Sequence, residues 1–141
     1  RDARQATDIS KALEFMMSVN KRRTVCFVVS DFLDEGFESA LSQANRRHDV
    51  VAVLVTDPRE LELPRVGVVA MTDAETGQTR LQDTSSQAFQ KVITARAAER
   101  IESLRTRLER RGVGLIHIDT AESVVEPLVR FFRNRERKFR R

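Results

Sequence analysis

A chain of 141 residues, 40% hydrophobic and 33% charged, has the composition of a globular domain and is long enough to bury about 70% of its unfolded surface, which excludes disordered, collagenous and disulfide-stapled classes. No apolar run approaches the ~20 residues of a membrane span, and a single cysteine, Cys26, excludes an internal disulfide. The net charge of +4 is concentrated in residues 130–141, where seven arginines and lysines face Glu136 alone, so the rest of the chain is slightly acidic and has no basic face suited to nucleic acid.

Thr7 and Asp8 precede Ile9, Ala12, Leu13, Met16 and Met17, the i, i+3, i+4, i+7, i+8 spacing of one helix face. Either Thr7 or Asp8 supplies the N-cap oxygen, and the helix is expected to stop near Asn20-Lys21. Thr24 to Val29 is a β-branched and aromatic run without charge, too short for a helix. We expect a strand buried on both faces, as in a parallel sheet covered by helices, with Cys26 an inert core thiol. It ends in Ser30-Asp31. After Asp34-Glu35-Gly36, residues Phe37, Ala40, Leu41 and Ala44 mark a second helix, closed by Arg46-Arg47-His48-Asp49 with charge suited to its carboxyl end. Val50 to Val55 repeats the strand signature and ends in Thr56-Asp57, which completes a βαβ unit.

Pro58 and Pro64 bracket a loop, and Val66 to Thr72 with Gln78 to Gln82 read as a hairpin in which Gly77 supplies the positive-φ position. We expect that hairpin at a sheet edge or over the crevice. Residues 86–111 form the longest periodic segment, with Phe89, Ile93, Ala97, Ile101, Leu104 and Leu108 on one face and Gly112 as the stop. Leu115 to Ile118 reads as a third buried strand ended by Asp119. Thr120 is expected to cap a last helix bearing Val124, Val125, Leu128, Phe131 and Phe132. The fold class is α/β: a mostly parallel, Rossmann-like sheet with flanking helices and an inserted hairpin. We expect a single domain over residues 1–141 with a basic tail at 130–141. Because the chain opens on Arg1 rather than Met, we expect it to be truncated at its amino end.

Ligands in open α/β sheets collect at the carboxyl ends of strands, where Asp31, Asp57 and Asp119 fall. Neighbouring strands lie ~4.8 Å apart, and two carboxylates at ~4 Å repel by roughly 4 kcal/mol at an effective dielectric of about 20. Such a rim needs a cation, an arginine or wide spacing, and its hard oxygens suit Mg²⁺ or Mn²⁺ rather than zinc. Aspartate also commonly closes turns at strand ends, the plainer role for Asp57 and Asp119. His48 is expected to orient the turn into the second strand, and His117 to be a satisfied core histidine. There is no phosphate-cradling glycine loop, G-x-S-x-G elbow or H-E-x-x-H pair, and no serine or cysteine has a visible base partner. Leu128, Phe131 and Phe132 beside Arg130, Arg133 and Arg135 form a basic amphipathic end able to meet acidic lipid weakly. The plainer expectation docks residues 124–132 on the sheet and leaves the arginines solvated.

Thr7-Asp8-Ile9-Ser10-Lys11-Ala12-Leu13 followed by Val28-Val29-Ser30-Asp31-Phe32 resembles the later half of a von Willebrand factor type A domain. Ser30-Asp31-Phe32-Leu33, Arg47-His48-Asp49-Val50, Asp57-Pro58-Arg59-Glu60, Leu63-Pro64 with Gly67, and Asp73-Ala74-Glu75-Thr76-Gly77 together resemble domain-of-unknown-function family fifty-eight, from about Thr7 to Phe132. The resemblance implies a doubly wound domain without dinucleotide chemistry. It implies a bacterial protein-interaction module, not an enzyme, often encoded beside AAA+ ATPases of the MoxR type. It further implies a metal-ion-dependent adhesion site in which Thr7 and Asp31 are ligands of a Mg²⁺ that bridges to a partner carboxylate. The principal ligands of that site come from an upstream D-x-S-x-S loop, which occurs nowhere in these residues. The site is therefore expected to be half built, and the exposed sheet edge to invite self-association. A cytoplasmic location is implied, with membrane contact only through an upstream segment or weakly through the tail, and no specific nucleic acid. The alternative is a Mg²⁺-dependent phosphoryl-transfer or hydrolytic enzyme using Asp31, Asp57 and Asp119. Its mark would be convergence of these carboxylates to within ~5 Å of one point.

Overall fold

Alternating helical and extended periodicities fold into alternating helices and strands. The computed structural model describes residues 8–58, 66–72 and 77–139. They run α1 (Ile9–Val19), β1 (Val25–Ser30), α2 (Glu38–Arg47), β2 (Asp49–Thr56), β3 (Val68–Thr72), β4 (Thr79–Asp83), α3 (Gln87–Glu109), β5 (Gly114–Asp119) and α4 (Val125–Phe139). The chain divides into two compact units, one formed by the segments up to Thr56 and from Leu104 onward, the other by Asp57 to Ser103. No helix among the described residues is long and apolar enough to cross a membrane.

In the first unit, β2 lies between β1 and β5 and pairs parallel with both. Side chains level with one another across a parallel ladder share a face. One face therefore gathers Val51, Val53, Ile116 and Ile118, against which Leu128 and Phe131 of α4 pack. On the other, Val50, Ala52, Leu54 and Leu115 are buried, α2 packs on β2, and α1 packs on α2. The helix stripe Phe37, Ala40, Leu41 and Ala44 is buried as its spacing requires, as are Ile9, Leu13 and Met17 of α1. Each Leu, Ile, Met or Phe among them contributes about 1.5–3 kcal/mol when removed from water, and each alanine less. The architecture is a Rossmann-like α/β fold with a parallel sheet flanked by helices.

Two small features lock this unit. The Asn45 side chain accepts from the Val50 amide at 3.1 Å and donates to the Gly112 carbonyl at 3.1 Å, so it joins α2, β2 and the turn before β5. Gly114 lies so close to α4 that a Cβ there would sit 2.6 Å from the Phe131 ring. The Arg135 guanidinium lies 5.8 Å from the centroid of the same ring and pairs with Asp49, so this arginine is not part of a solvated end.

Several expectations are corrected. β1 is not buried on both faces, because Val25, Phe27 and Val29 are 56%, 46% and 64% exposed. The physical reason is its place at the edge of the sheet, where α4 reaches this face at Phe27 through an edge-on contact with Phe132, ring centroids 6.2 Å apart. Cys26 is accordingly half-buried, and burial pushes its thiol pKa up. Thr120 does not cap the last helix. Residues 119–122 form a turn in which the Asp119 carboxylate accepts from the Ala121 amide at 2.8 Å, and α4 begins only at Val125, after Ser123. Val124 and Val125 stay exposed.

In the second unit, β3 and β4 form the expected antiparallel hairpin with Gly77 at φ 67°, but as a separate two-stranded sheet. Thr84 is its buried polar knot: its hydroxyl donates to Gly67 O at 2.9 Å, and Gln90 Nε2 donates to its carbonyl at 2.8 Å. Along α3, Leu104 and Leu108 are buried in the first unit, whereas Phe89, Ile93, Ala97 and Ile101 are half-buried. A two-stranded ribbon offers a helix little apolar surface. The loop at 59–65 lies outside the described residues.

Two substitutions test these locks. Gly114→Ala overpacks the Phe131 ring and lowers stability by about 1–3 kcal/mol in urea unfolding; adding Phe131→Leu recovers part of the loss. Asn45→Ala strands the Val50 amide and the Gly112 carbonyl and costs about 1–3 kcal/mol.

Candidate functional site

The strand-end carboxylate singled out by the sequence, Asp31, sits in a tight exit turn. Its Oδ1 accepts from the Leu33 amide at 3.2 Å and lies 3.4 Å from the Ser30 hydroxyl, while Ser30 Oγ accepts from the Phe32 amide at 3.1 Å. Phe32 takes φ 51°, in the left-handed region, where a residue bearing Cβ is strained by roughly 1–2 kcal/mol. Burial of its ring, 4% exposed and 5.3 Å from that of Phe37, holds it there. The turn thus buries the phenylalanine and leaves Asp31 exposed beside it.

The next carboxylate ties this turn to the start of α1. Asp34 Oδ2 accepts from the Ile9 amide at 3.1 Å, and its Oδ1 accepts from the Glu35 amide at 3.0 Å. Asp8 is the N-cap of α1, accepting from the Lys11 amide at 3.0 Å. That bond, together with the Lys11 ammonium 3.0 Å away, holds the Asp8 carboxyl below its usual range. Two carboxylates therefore satisfy first-turn amides that have no partner within the helix. Sequence reasoning left the cap to Thr7 or Asp8 from their position before an apolar stripe, and it missed Asp34, whose amide partner is 25 residues away.

Thr7 lies outside the described residues. Asp31 and Asp119 are kept apart by the sheet itself. Ser30 is level with Leu54 and Asp119 with Thr56, with β2 between the two strands, so two strand spacings of ~4.8 Å separate their backbones. Asp119 is engaged in its turn, and Asp57 belongs to the second unit. Among the described residues no group of three or more His, Cys, Asp or Glu side chains is placed to hold a metal ion.

The histidines have structural surroundings. His117 Nε2 lies 2.8 Å from the Thr56 hydroxyl, half-buried rather than in the core. His48, 2% exposed, lies with Nδ1 3.2 Å from the Thr24 hydroxyl, where α2 turns into β2, and its Nε2 is buried without a hydrogen-bond partner.

The family described as "Protein of unknown function DUF58" matches residues 2–103. An "Uncharacterized protein MAV169" from Mycobacterium avium is 33% identical over 131 residues, 92% of this chain and 77% of that protein. An "Uncharacterized protein Rv1480" from Mycobacterium tuberculosis and an "Uncharacterized protein Mb1516" from Mycobacterium bovis are each 32% identical over 92% of this chain. The chain spans 41% of the length of those two relatives. No solved structure matches it.

The Asp8 cap makes a pH prediction. A carboxyl depressed in the folded state stabilises above its unfolded pKa, and that contribution is lost as pH falls through the folded value. Asp8→Ala should therefore lower the melting temperature at neutral pH, and the gap to the parent should shrink in acid below the carboxylate range.

Proposed function

The chain belongs to the DUF58 family, and on that footing we propose that it is a non-catalytic protein-interaction module whose working surface is the rim where β1 ends and α1 begins. The observation that carries this reading is the Asp34–Ile9 hydrogen bond of 3.1 Å, which holds the Asp31 turn against the start of the helix that Thr7 precedes. That bond sets the Asp31 turn beside the start of α1, and the carboxylate oxygens of Asp31 and Asp34 are of the hard kind Mg²⁺ prefers. In the von Willebrand factor type A-like form of this reading, Thr7 and Asp31 contribute two ligands, and segments beyond this chain and the partner's carboxylate contribute the rest. Mg²⁺ there would supply charge for bridging two acidic groups. The chain's own part is to present Asp31, with Leu33 N–H and Ser30 Oγ limiting its rotation.

A MoxR-type AAA+ ATPase is the proposed partner and the cytoplasm the proposed compartment, with the longer protein open to membrane tethering. The competing reading, a Mg²⁺-dependent enzyme working through Asp31, Asp57 and Asp119, needs its carboxylates at one point. The β2 strand between Asp31 and Asp119 weighs against it.

Calorimetric titration with Mg²⁺ separates the two. A version lengthened with upstream residues should bind one equivalent, and Asp31→Ala should abolish the signal. Equal binding by the 141-residue chain would favour the enzyme, and silence from both versions would remove the metal from the interaction.

A further inference from the structure

Elsewhere in the described backbone a left-handed φ falls on glycine, as at Gly36 and Gly112, but at position 32 it falls on a phenylalanine. A Cβ disfavours that region by roughly tenfold. The turn lies between the Asp31 carboxylate and the amide it accepts from: Asp31 Oδ1 reaches Leu33 N at 3.2 Å across Phe32, while Ser30 Oγ accepts from the Phe32 amide at 3.1 Å. A residue in a sparsely populated conformation persists only where its surroundings over-determine it, and such residues cluster at working sites. Here the surroundings are the core. The Phe32 ring is 4% exposed and lies tilted against the ring of Phe37, which is fully buried just ahead of α2.

We propose that Phe32 is the positioning residue of the Asp31 rim: its buried ring locks the left-handed turn, and the locked turn holds the Asp31 carboxylate in one orientation. Phe32 touches no ligand and acts through its neighbour. Glycine at this position relieves the strain, but it has no ring to anchor and ranges over both signs of φ. Alanine has neither the anchor nor the freedom, so it draws the turn to negative φ and parts Asp31 Oδ1 from the Leu33 amide. The inference rests on the reading of Asp31 as a Mg²⁺ ligand, and adds that the ligand is oriented from the core side, through the contact of Phe32 with Phe37. A ligand fixed in advance removes its ordering cost from the binding step, and affinity falls with the fraction of molecules whose turn is competent.

Calorimetric Mg²⁺ titration of the version lengthened with upstream residues should rank the variants. Phe32→Leu, which keeps a buried apolar anchor, should bind close to the parent. Phe32→Ala and Phe32→Gly lose the same ring, yet the alanine variant should bind roughly tenfold more weakly than the glycine variant. A role in packing alone leaves those two equal once folded. In the 141-residue chain, the coupling between the amide and α protons of residue 32, which reports φ, should keep its left-handed value in Phe32→Leu and lose it in Phe32→Ala. Where circular dichroism shows that the alanine variant does not fold, Phe37→Leu takes its place. It loosens the ring contact without altering the turn's own residues, and it should both weaken Mg²⁺ binding and shift that coupling. Equal affinities in the alanine and glycine variants, a left-handed coupling retained in Phe32→Ala, or a Phe37→Leu variant with the parent's values overturns the proposal. If the lengthened parent binds no Mg²⁺, the metal reading of Asp31 fails by itself, and the coupling in the 141-residue chain still decides whether the Phe32 ring holds the turn.

Discussion

Strand β2 is the constraint on which the first unit depends. Its side chains from Val50 to Leu54 are withdrawn from water, and a buried main chain must have every amide and carbonyl paired. Parallel neighbours on both sides meet that requirement, and where the β5 ladder has not yet begun, the Asn45 side chain takes the Val50 amide. Because parallel neighbours cannot be joined by tight turns, each needs a crossover: α2 between β1 and β2, and the whole second unit with α3 between β2 and β5. The covering elements follow from the same demand. Each face of β2 needs an apolar layer, supplied by α2 on one side and α4 on the other.

The same geometry governs the candidate site. Strands that share a register end at one rim, but β2 stands between β1 and β5, so the terminal carboxylates of the outer strands are held apart. What the rim does concentrate is local: a turn strained at Phe32, a carboxylate exposed beside it, and a helix start fastened by Asp34. The cost of the left-handed phenylalanine is met by burying its ring against Phe37, which makes the exit turn of β1 part of the core rather than a loose loop.

Strand β1 carries the proposed site at its carboxyl end. Its exit turn is held by the buried Phe32 ring and by the Asp34–Ile9 bond, and among the described residues its hydrogen-bonded neighbour is β2.

The sequence by itself determined the elements and their order, because those depend on periodicity within a few residues. The stripe of α2, the charge-free runs Thr24–Val29 and Val50–Val55, Gly77 in the hairpin and a cap at Thr7 or Asp8 are all local and legible. So was Asp31 as the strand-end carboxylate, although not what surrounds it. Only the tertiary structure decided which strands are neighbours, and hence that Asp31 and Asp119 lie on either side of β2. It alone decided that β1 is exposed on one face, because burial is a property of what packs against a strand and not of the strand. It revealed Asp34 as the second cap of α1 and Asn45 as the joint between α2, β2 and Gly112, since those bonds close loops of 25 and 67 residues that no local pattern records. It placed the start of α4 at Val125 rather than Thr120, because the Asp119 turn claims the intervening residues. Local propensity names the pieces, and long-range hydrogen bonding and burial place them.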